Sequence, residues 1–217
     1  MIKKSNIKYK SEQVKSVNCV EVSKIQARFI LHIETKNEST EKSILVVMKN
    51  PSKATQYQSD KTVNNVIGHL WKGYSNIYIA NLFPYYSTKA NGLLSFFDSQ
   101  DNDTILTINQ KFIEDYEMKA NDILIGWGTN TIGMKQQDYE NEIAKTMRIL
   151  FKNKKPVYYV HCCSCKNNLT GCGDNNFCSN RCKKRCERVH NPNKSCNIIR
   201  FPMHLELWGS NKQKIRY

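Results

Sequence analysis

The chain has 217 residues, enough for one domain with a hydrophobic core and a small additional module, but too few for two full-sized domains. Lys and Arg number 33 against 19 Asp and Glu, which gives a formal net charge of +14 and an isoelectric point near 9.4. This excess favours a polyanionic partner, first of all nucleic acid, although a Lys- and Asn-rich composition can also reflect an AT-rich genome. We expect a cytoplasmic protein with no membrane partner, because neither a signal-like apolar run nor a stretch of about 20 apolar residues occurs.

The first predicted elements are strands. Residues up to about Val14 are polar and rich in lysine, which favours a loose arm or an edge segment. Residues 28–35 are rich in β-formers and end at the polar turn 36–40, and the continuous apolar run 43–48 is typical of a strand buried on both faces. Together these segments predict a hairpin that leads into a central strand.

Apolar runs return at residues 77–80, 123–127 and 157–160, and segments with helical spacing lie at 62–71, 105–118 and 139–152. Alternation of strand and helix predicts an α/β fold, with a mostly parallel central sheet flanked by helices. In such sheets ligands bind where the strands end at their carboxyl edge. The residues that follow each strand are therefore the candidates for a functional site.

Polar and aromatic residues do cluster at these strand ends. They are Asn50-Pro51-Ser52 with Asp60 and Thr62 beyond, the segment 81–86 (Asn-Leu-Phe-Pro-Tyr-Tyr), the segment 127–130 (Trp-Gly-Thr-Asn) and, near the C-terminus, the segment 200–205 (Arg-Phe-Pro-Met-His-Leu). Each cluster alone is a weak indication, since Asn-Pro is a common turn start and Trp-Gly can be core packing. Their joint position at successive strand ends is the informative feature.

With these motifs in this order, the chain resembles the bacterial family catalogued as domain of unknown function 1643, whose pattern is Asn-Pro-Ser, Asp-x-Thr, Asn-Leu-Phe, Trp-Gly and His-Pro. The resemblance covers residues 28–160 and again 200–207, with His204-Leu205 in place of His-Pro. That family is in turn similar to the uracil-DNA glycosylase superfamily. The resemblance implies a fold of that kind and a monofunctional DNA glycosylase, which flips a base out of DNA and excises it.

The resemblance also implies two catalytic residues, Asn50 and His204, and the chemistry of the reaction suggests Asp60 as a third. Asn50 would orient the attacking water, and Asp60 would stabilise the cationic sugar or activate that water. His204 would donate a hydrogen bond to the departing base. The alternative is that Asn50 caps a turn and that His204 is a structural histidine.

The substrate-binding candidates surround these residues. Asn81 would read an edge of the flipped base, while Phe83 or Tyr85 would stack on it. The structural alternative for Asn81 is again a cap of a helix or turn. The other candidates are Ser52, Thr62, Trp127 and Gly128.

Eight of the nine cysteines lie between residues 162 and 196, and Cys19, which stands apart, is expected to be a buried or bystander thiol. In a reducing compartment this density favours zinc over disulfides. Cys162 and Cys165 are separated by two residues, as in a zinc knuckle, and Cys178, Cys182, Cys186 and His190 recur every four residues. The candidate ligands are Cys162, Cys165, Cys172, Cys178, Cys182, Cys186, His190 and Cys196.

These ligands fit one or two structural zinc ions. Two ions would be held by Cys162, Cys165, Cys178 and Cys182, and by Cys172, Cys186, His190 and Cys196. A single ion with spare thiols is the alternative, and Cys163 can replace Cys162. Four thiolates leave zinc no open position, so the metal is expected to be structural.

The segment 177–196 also resembles the second half of a MYND-type zinc finger, with the pattern aromatic-Cys-Ser-x-x-Cys, then His, then Cys. The basic residues expected to contact the DNA backbone are Lys183, Lys184, Arg185 and Arg188. The alternative is a finger that binds a protein partner, since MYND modules usually bind peptides. The expected domains are a glycosylase-like α/β domain (1–161), a cysteine-rich zinc-binding insertion (162–197) and a C-terminal return to the α/β domain (198–217).

The sequence therefore favours a DNA glycosylase that acts on a modified base, such as a hypermodified phage base, in genome defence or DNA repair. The DNA would be double-stranded with a flipped base, or single-stranded. Two alternatives stay open: a non-catalytic nucleic-acid-binding or regulatory module on the same fold, and a nucleoside or nucleotide hydrolase, which the charge of +14 makes less attractive.

Overall fold

A computed structural model describes residues 7–88, 93–97, 99–128, 130 and 133–159. The strands are β1 (Val14–Val22), β2 (Ala27–Thr35), β3 (Ser43–Met48), β4 (Asn76–Asn81), β5 (Asp122–Gly126) and β6 (Val157–Tyr159). The helices are α1 (Lys61–Leu70), α2 (Leu94–Phe97), α3 (Asn102–Lys119) and α4 (Gln136–Leu150). In this part of the chain, no helix combines the length and the apolar character needed to cross a membrane.

The strands form one six-stranded sheet in the order β1-β2-β4-β3-β5-β6. The ladders β4–β3, β3–β5 and β5–β6 are parallel, whereas β1–β2 and β2–β4 are antiparallel. Helices α1, α3 and α4 each connect one strand of the parallel part to the next in sequence. The expected α/β class, with a sheet flanked by helices, is confirmed.

The predicted hairpin between residues 28–35 and 43–48 is wrong. β4 lies between β2 and β3, antiparallel to β2 and parallel to β3. The hairpin partner of β2 is β1, an edge strand of which only Val14 is buried, so its sequence lacks a clear alternation of apolar and polar residues. The turn between them is a short 3-10 helix (Ser23–Ile25) that ends at Gln26 with φ 50°. Gly or Asn more often occupies this left-handed conformation, so the sequence gives no clear sign of the turn.

The helices cover both faces of the sheet. α1 packs on one face, where its Val63, Val66 and Ile67 meet apolar residues of β3 and β4. α3 and α4 pack on the other face, against residues such as Val47 and Ile125. β3 and β5 are buried along their whole length, which explains their continuous apolar sequence.

Candidate functional site

The residues that follow β3, β4 and β5 meet at one edge of the sheet, called the carboxyl edge below. Met48 at the end of β3 pairs with Asn81 on one side and with Gly126 on the other. The contact between β3 and β4 continues one step further, because the amide nitrogen of Leu82 donates to the carbonyl of Met48 at 2.8 Å. The expectation that these strand-end motifs lie together therefore holds for the described residues.

Asn81 has a side chain that is completely buried and unsatisfied. Its exposed fraction is 0%, and neither Oδ1 nor Nδ2 forms a hydrogen bond with any described residue. A polar group buried without a partner costs about 1–3 kcal/mol, so such groups are rare in folded proteins. The carboxamide of Asn81 is therefore well suited to pair with a polar ligand at this edge.

The main chain of Asn81 is fixed by a residue that sequence reasoning missed. Asn109 in α3 donates from Nδ2 to the carbonyl oxygens of Asn81 and Leu82, at 2.9 and 3.2 Å. Asn109 is 1% exposed, and it shares the buried side of α3 with Ile105 and Ile113. An amide among apolar residues at helical spacing was the signal that could have revealed it.

Asn50 connects the loops that follow β3 and β4. Its Nδ2 donates to the carbonyl oxygens of Pro51 at 3.0 Å and of Ser87 at 2.8 Å. Two carbonyl partners fix the orientation of the amide, because only its nitrogen can donate. Asn50 is half-buried and no described residue donates to its Oδ1, so this oxygen can accept a hydrogen bond from a ligand or a water molecule.

Asp60 holds the loop between β3 and α1. Its Oδ1 accepts the N-cap hydrogen bond from the amide of Val63 at 2.8 Å. Its Oδ2 accepts from the hydroxyl of Ser52 at 2.7 Å and from the amides of Lys53 and Ala54 at 3.3 and 3.2 Å. Four donors fill the carboxylate, so this geometry favours a structural role for Asp60 and for Ser52 over the expected catalytic and substrate-binding roles.

The pKa of Asp60 follows from this environment. Burial is the largest single influence and raises the pKa, but the hydrogen bonds from Val63, Ser52 and Lys53, with the nearby charge of Arg28, outweigh it. The pKa of Asp60 is therefore held below its ordinary value. A carboxylate with a lowered pKa is a weak base.

Arg28 is a second residue that sequence reasoning missed as part of the site. It is completely buried, donates from Nη1 to the carbonyl of Ala54 at 2.8 Å and lies 5.9 Å from the ring centroid of Tyr86. Its Nε and Nη2 have no hydrogen-bond partner among the described residues. An arginine at the start of the apolar run of β2 was the available signal, since a buried cation needs compensation.

Phe83 and Tyr85 lie in the core. The ring of Phe83, 0% exposed, packs edge-on against Phe97 at 5.1 Å between centroids. The ring of Tyr85, 1% exposed, is stacked on Phe96 at 4.5 Å, and its hydroxyl donates to Asn102 at 3.0 Å. Their aromatic contacts already occupy these rings, so the geometry does not favour the expected stacking on a base.

The remaining substrate-binding candidates lie at the same edge. Trp127 follows β5, is 0% exposed, and its Nε1 has no hydrogen-bond partner in the described part of the chain. Gly128 adopts φ 72°, which favours glycine, and its carbonyl accepts from the hydroxyl of Tyr139 at 3.0 Å. Thr62 is buried in the first turn of α1.

Several expected site residues lie outside the described residues. They are His204, the zinc ligands Cys162, Cys165, Cys172, Cys178, Cys182, Cys186, His190 and Cys196, and the basic residues Lys183, Lys184, Arg185 and Arg188. Within the ranges that the structure does describe, no three His, Cys, Asp or Glu side chains are grouped as a metal site. Cys19, in β1, is half-buried, and burial raises the pKa of its thiol to about 11.

The described residues thus define an α/β protein with a polar candidate site at the carboxyl edge of its sheet. Residues 28–172, more than half of the chain, match the family described as "Protein of unknown function (DUF1643)", and the chain belongs to this family. The match confirms the family expected from the motifs, and it extends past residue 161 into the cysteine-rich segment. No curated protein and no solved structure matches the chain significantly.

Proposed function

We propose that this protein is a monofunctional DNA glycosylase that hydrolyses the N-glycosidic bond of a modified base. The observation that carries the proposal is the buried carboxamide of Asn81, which has no partner among the described residues and lies at the carboxyl edge. A carboxamide offers both a donor and an acceptor, so it can pair with the polar edge of a flipped base. The excess of Lys and Arg supports DNA as the polymer that carries this base.

The chemistry needs two further groups. Cleavage of the bond builds positive charge on the sugar and negative charge on the leaving base. Oδ1 of Asn50, whose amide nitrogen is fixed by two carbonyls, would accept a hydrogen bond from water and hold it against the sugar. An amide cannot remove a proton, so Asn50 orients the water and does not act as a base. His204 would donate to the leaving base.

A second candidate function is a nucleic-acid-binding module without catalysis. The observation that favours it is the environment of Asp60, whose carboxylate is filled by four donors and has a lowered pKa. Asp60 is then unsuited to activate water, and Asn50 is an amide. The two functions differ in one measurable product, the abasic site.

Base release from DNA tests the proposal. The full chain is incubated in excess with DNA that carries uracil, hydroxymethylcytosine or glucosylated hydroxymethylcytosine, and abasic sites are detected by alkaline cleavage. We expect release from at least one of these substrates. Binding of all three without release would favour the non-catalytic module.

Variants of the proposed residues separate their roles. Asn50→Ala and His204→Ala are each expected to slow single-turnover release by about 100-fold with DNA affinity retained, the scale of a lost transition-state hydrogen bond. Asn81→Ala is expected to reduce discrimination between bases. The control is Asn18→Ala, which changes an exposed asparagine of β1 and should alter neither the release rate nor the discrimination between bases. Unchanged release rates for Asn50→Ala would remove Asn50 from the mechanism.

A further inference from the structure

Tyr57 is an aromatic side chain in solvent at the carboxyl edge. It lies in the connection between β3 and α1, and it is 85% exposed, the largest fraction among the exposed large hydrophobic residues that the structure describes. A single exposed apolar residue is common on protein surfaces and carries no inference by itself. Two features of its surroundings distinguish Tyr57.

The first feature is a backbone held in place around an exposed ring. The amide of Thr55 donates to the carbonyl of Gln58 at 2.8 Å, and the amide of Tyr57 donates to the hydroxyl of Thr55 at 3.2 Å. The hydroxyl of Tyr9 donates to the carbonyl of Thr55 at 2.6 Å, which fastens the turn to the N-terminal segment. The turn therefore holds the backbone of Tyr57 in place, while its ring contacts solvent.

The second feature is a set of lysines in the same loop and in the N-terminal segment beside it. Ile7 pairs with Ser59, and the side chain of Asn64 donates to the carbonyl of Lys8, so the N-terminal segment runs beside the turn. Together with Tyr57 these lysines form a surface called the tyrosine rim below. It consists of Tyr57, Lys8, Lys10, Lys53 and Lys61. In residues 7–10 and 50–61 the only acidic residue is Asp60, whose carboxylate is buried and hydrogen-bonded within the loop.

We propose that the tyrosine rim binds an unpaired nucleobase of the DNA strand beside the excised nucleotide. The ring of Tyr57 stacks on the base, and the lysines contact the adjoining phosphates, which is how proteins bind single-stranded nucleic acid without reading its sequence. A tyrosine has few torsions to fix, and its turn is already ordered, so stacking carries a small entropic cost. The position beside the excised nucleotide rests on the proposed function, whereas the binding itself does not.

The test uses short single-stranded DNA that contains the fluorescent base 2-aminopurine, titrated with the full chain. Affinity is read from anisotropy and stacking from quenching of the 2-aminopurine emission. Tyr57→Ala is expected to weaken binding by about 10-fold and to abolish the quenching, whereas Tyr57→Phe retains both. The matched control is Phe151→Ala, which removes a 50% exposed aromatic residue beside Lys152 at the C-terminal end of α4 and should change neither signal.

Three results would overturn the inference: no binding of this DNA by the full chain, wild-type affinity and quenching in Tyr57→Ala, or an equal loss in Phe151→Ala. Wild-type affinity and quenching in Tyr57→Ala, together with binding of the rim to a protein, would indicate a protein partner for the tyrosine rim. The experiment requires no base release. Quenching that depends on Tyr57, without base release, would support this inference and contradict the glycosylase proposal. Base release, together with full DNA affinity in Tyr57→Ala, would support the glycosylase proposal and contradict this inference.

Discussion

Ala54 joins two charged side chains, those of Asp60 and Arg28, that are buried beneath the carboxyl edge. Its amide donates to Asp60 at 3.2 Å, and its carbonyl accepts from Arg28 at 2.8 Å. The carboxylate of Asp60 caps α1, and the charge of Arg28 lowers the pKa of that carboxylate. The loop that carries Asn50 and Tyr57 thus depends on one anion and one cation that face each other across a single residue.

Removal of the Asp60 carboxylate should destabilise the fold. Asp60→Ala is expected to lower the free energy of unfolding by about 1–3 kcal/mol, because the cap of α1 is lost and buried donors of the loop are left unsatisfied. Urea unfolding measures this change. The matched control is Asp138→Ala, an exposed residue in the first turn of α4, which should change stability by less than about 0.5 kcal/mol. Equal effects of the two substitutions would contradict the role given to Asp60.

The same contribution should depend on pH. The pKa of Asp60 is lower in the folded chain than its ordinary value of 3.8, so its stabilisation is complete above that value. It is lost as the pH falls through the folded-state pKa and the carboxylate gains a proton. The stability difference between the wild type and Asp60→Asn should therefore shrink as the pH is lowered below 3.8.

At the scale of elements, α3 reaches the candidate site through the side chain of Asn109. This helix packs on the sheet face opposite α1, yet its amide holds the carbonyls of Asn81 and Leu82 at the carboxyl edge. Asn109 thus positions the main chain of Asn81, and in the proposed glycosylase it would act on the site through that main chain. Its effect on activity should resemble that of Asn81 and differ from that of Asn50.

Asn109→Leu tests this role with a side chain of similar size that cannot donate to the two carbonyls. We expect a loss of about 1–3 kcal/mol in stability and a weaker discrimination between bases in the release assay, with a smaller change in rate on the best substrate. The control on the same helix is Thr107→Ala, at an exposed position. A loss of stability with unchanged discrimination would show that Asn109 supports the fold alone.

The sequence predicts two kinds of element well: strands that are buried on both faces, and helices that bury one clear apolar stripe. Runs 43–48, 77–80 and 123–127 became β3, β4 and β5 with end shifts of at most one residue, because an uninterrupted apolar run has little alternative to a central strand. The helix predicted at 139–152 begins earlier, at Gln136, since its polar first turn carries no periodic signal. β1 is an exposed edge strand with little apolar alternation, so its sequence carries a weak signal. The order of β2, β4 and β3 depends on partners distant in sequence, which local patterns do not encode.

The residues of the candidate site also differ in how well the sequence predicts their positions. Asn50 and Asn81 could be predicted because the ends of parallel strands share an edge whatever the details of packing. Phe83 and Tyr85 share the loop with Asn81, but whether a ring there faces a ligand or the core is decided by α2 and α3, which supply Phe97, Phe96 and Asn102. The contacts of Asn109 and Arg28 likewise exist only once the helices and loops are packed.

At the scale of the whole molecule, the positive charge is unevenly distributed along the chain. Residues 160–217 contain 11 of the 33 Lys and Arg but only 3 of the 19 Asp and Glu. More than half of the net charge of +14 therefore belongs to the last quarter of the sequence, which includes Lys183, Lys184, Arg185 and Arg188. If this segment binds DNA phosphates, its contribution is electrostatic, independent of sequence and sensitive to salt.

Salt dependence of DNA binding tests that contribution. Each phosphate contact adds about 0.9 to the slope of log affinity against log salt concentration for duplex DNA, so the combined substitution of Lys183, Lys184, Arg185 and Arg188 by Ala should reduce the slope by up to about 3.6. The matched control removes the same charge from exposed lysines near the amino ends of the strands: Lys42, Lys72, Lys119 and Lys152. We expect this control to weaken binding only slightly, because these lysines lie at the opposite edge of the sheet from Asn81. Equal slopes for the two variants would show that the charge acts as a diffuse whole, and an unchanged slope in the first variant would favour a protein partner for the cysteine-rich segment.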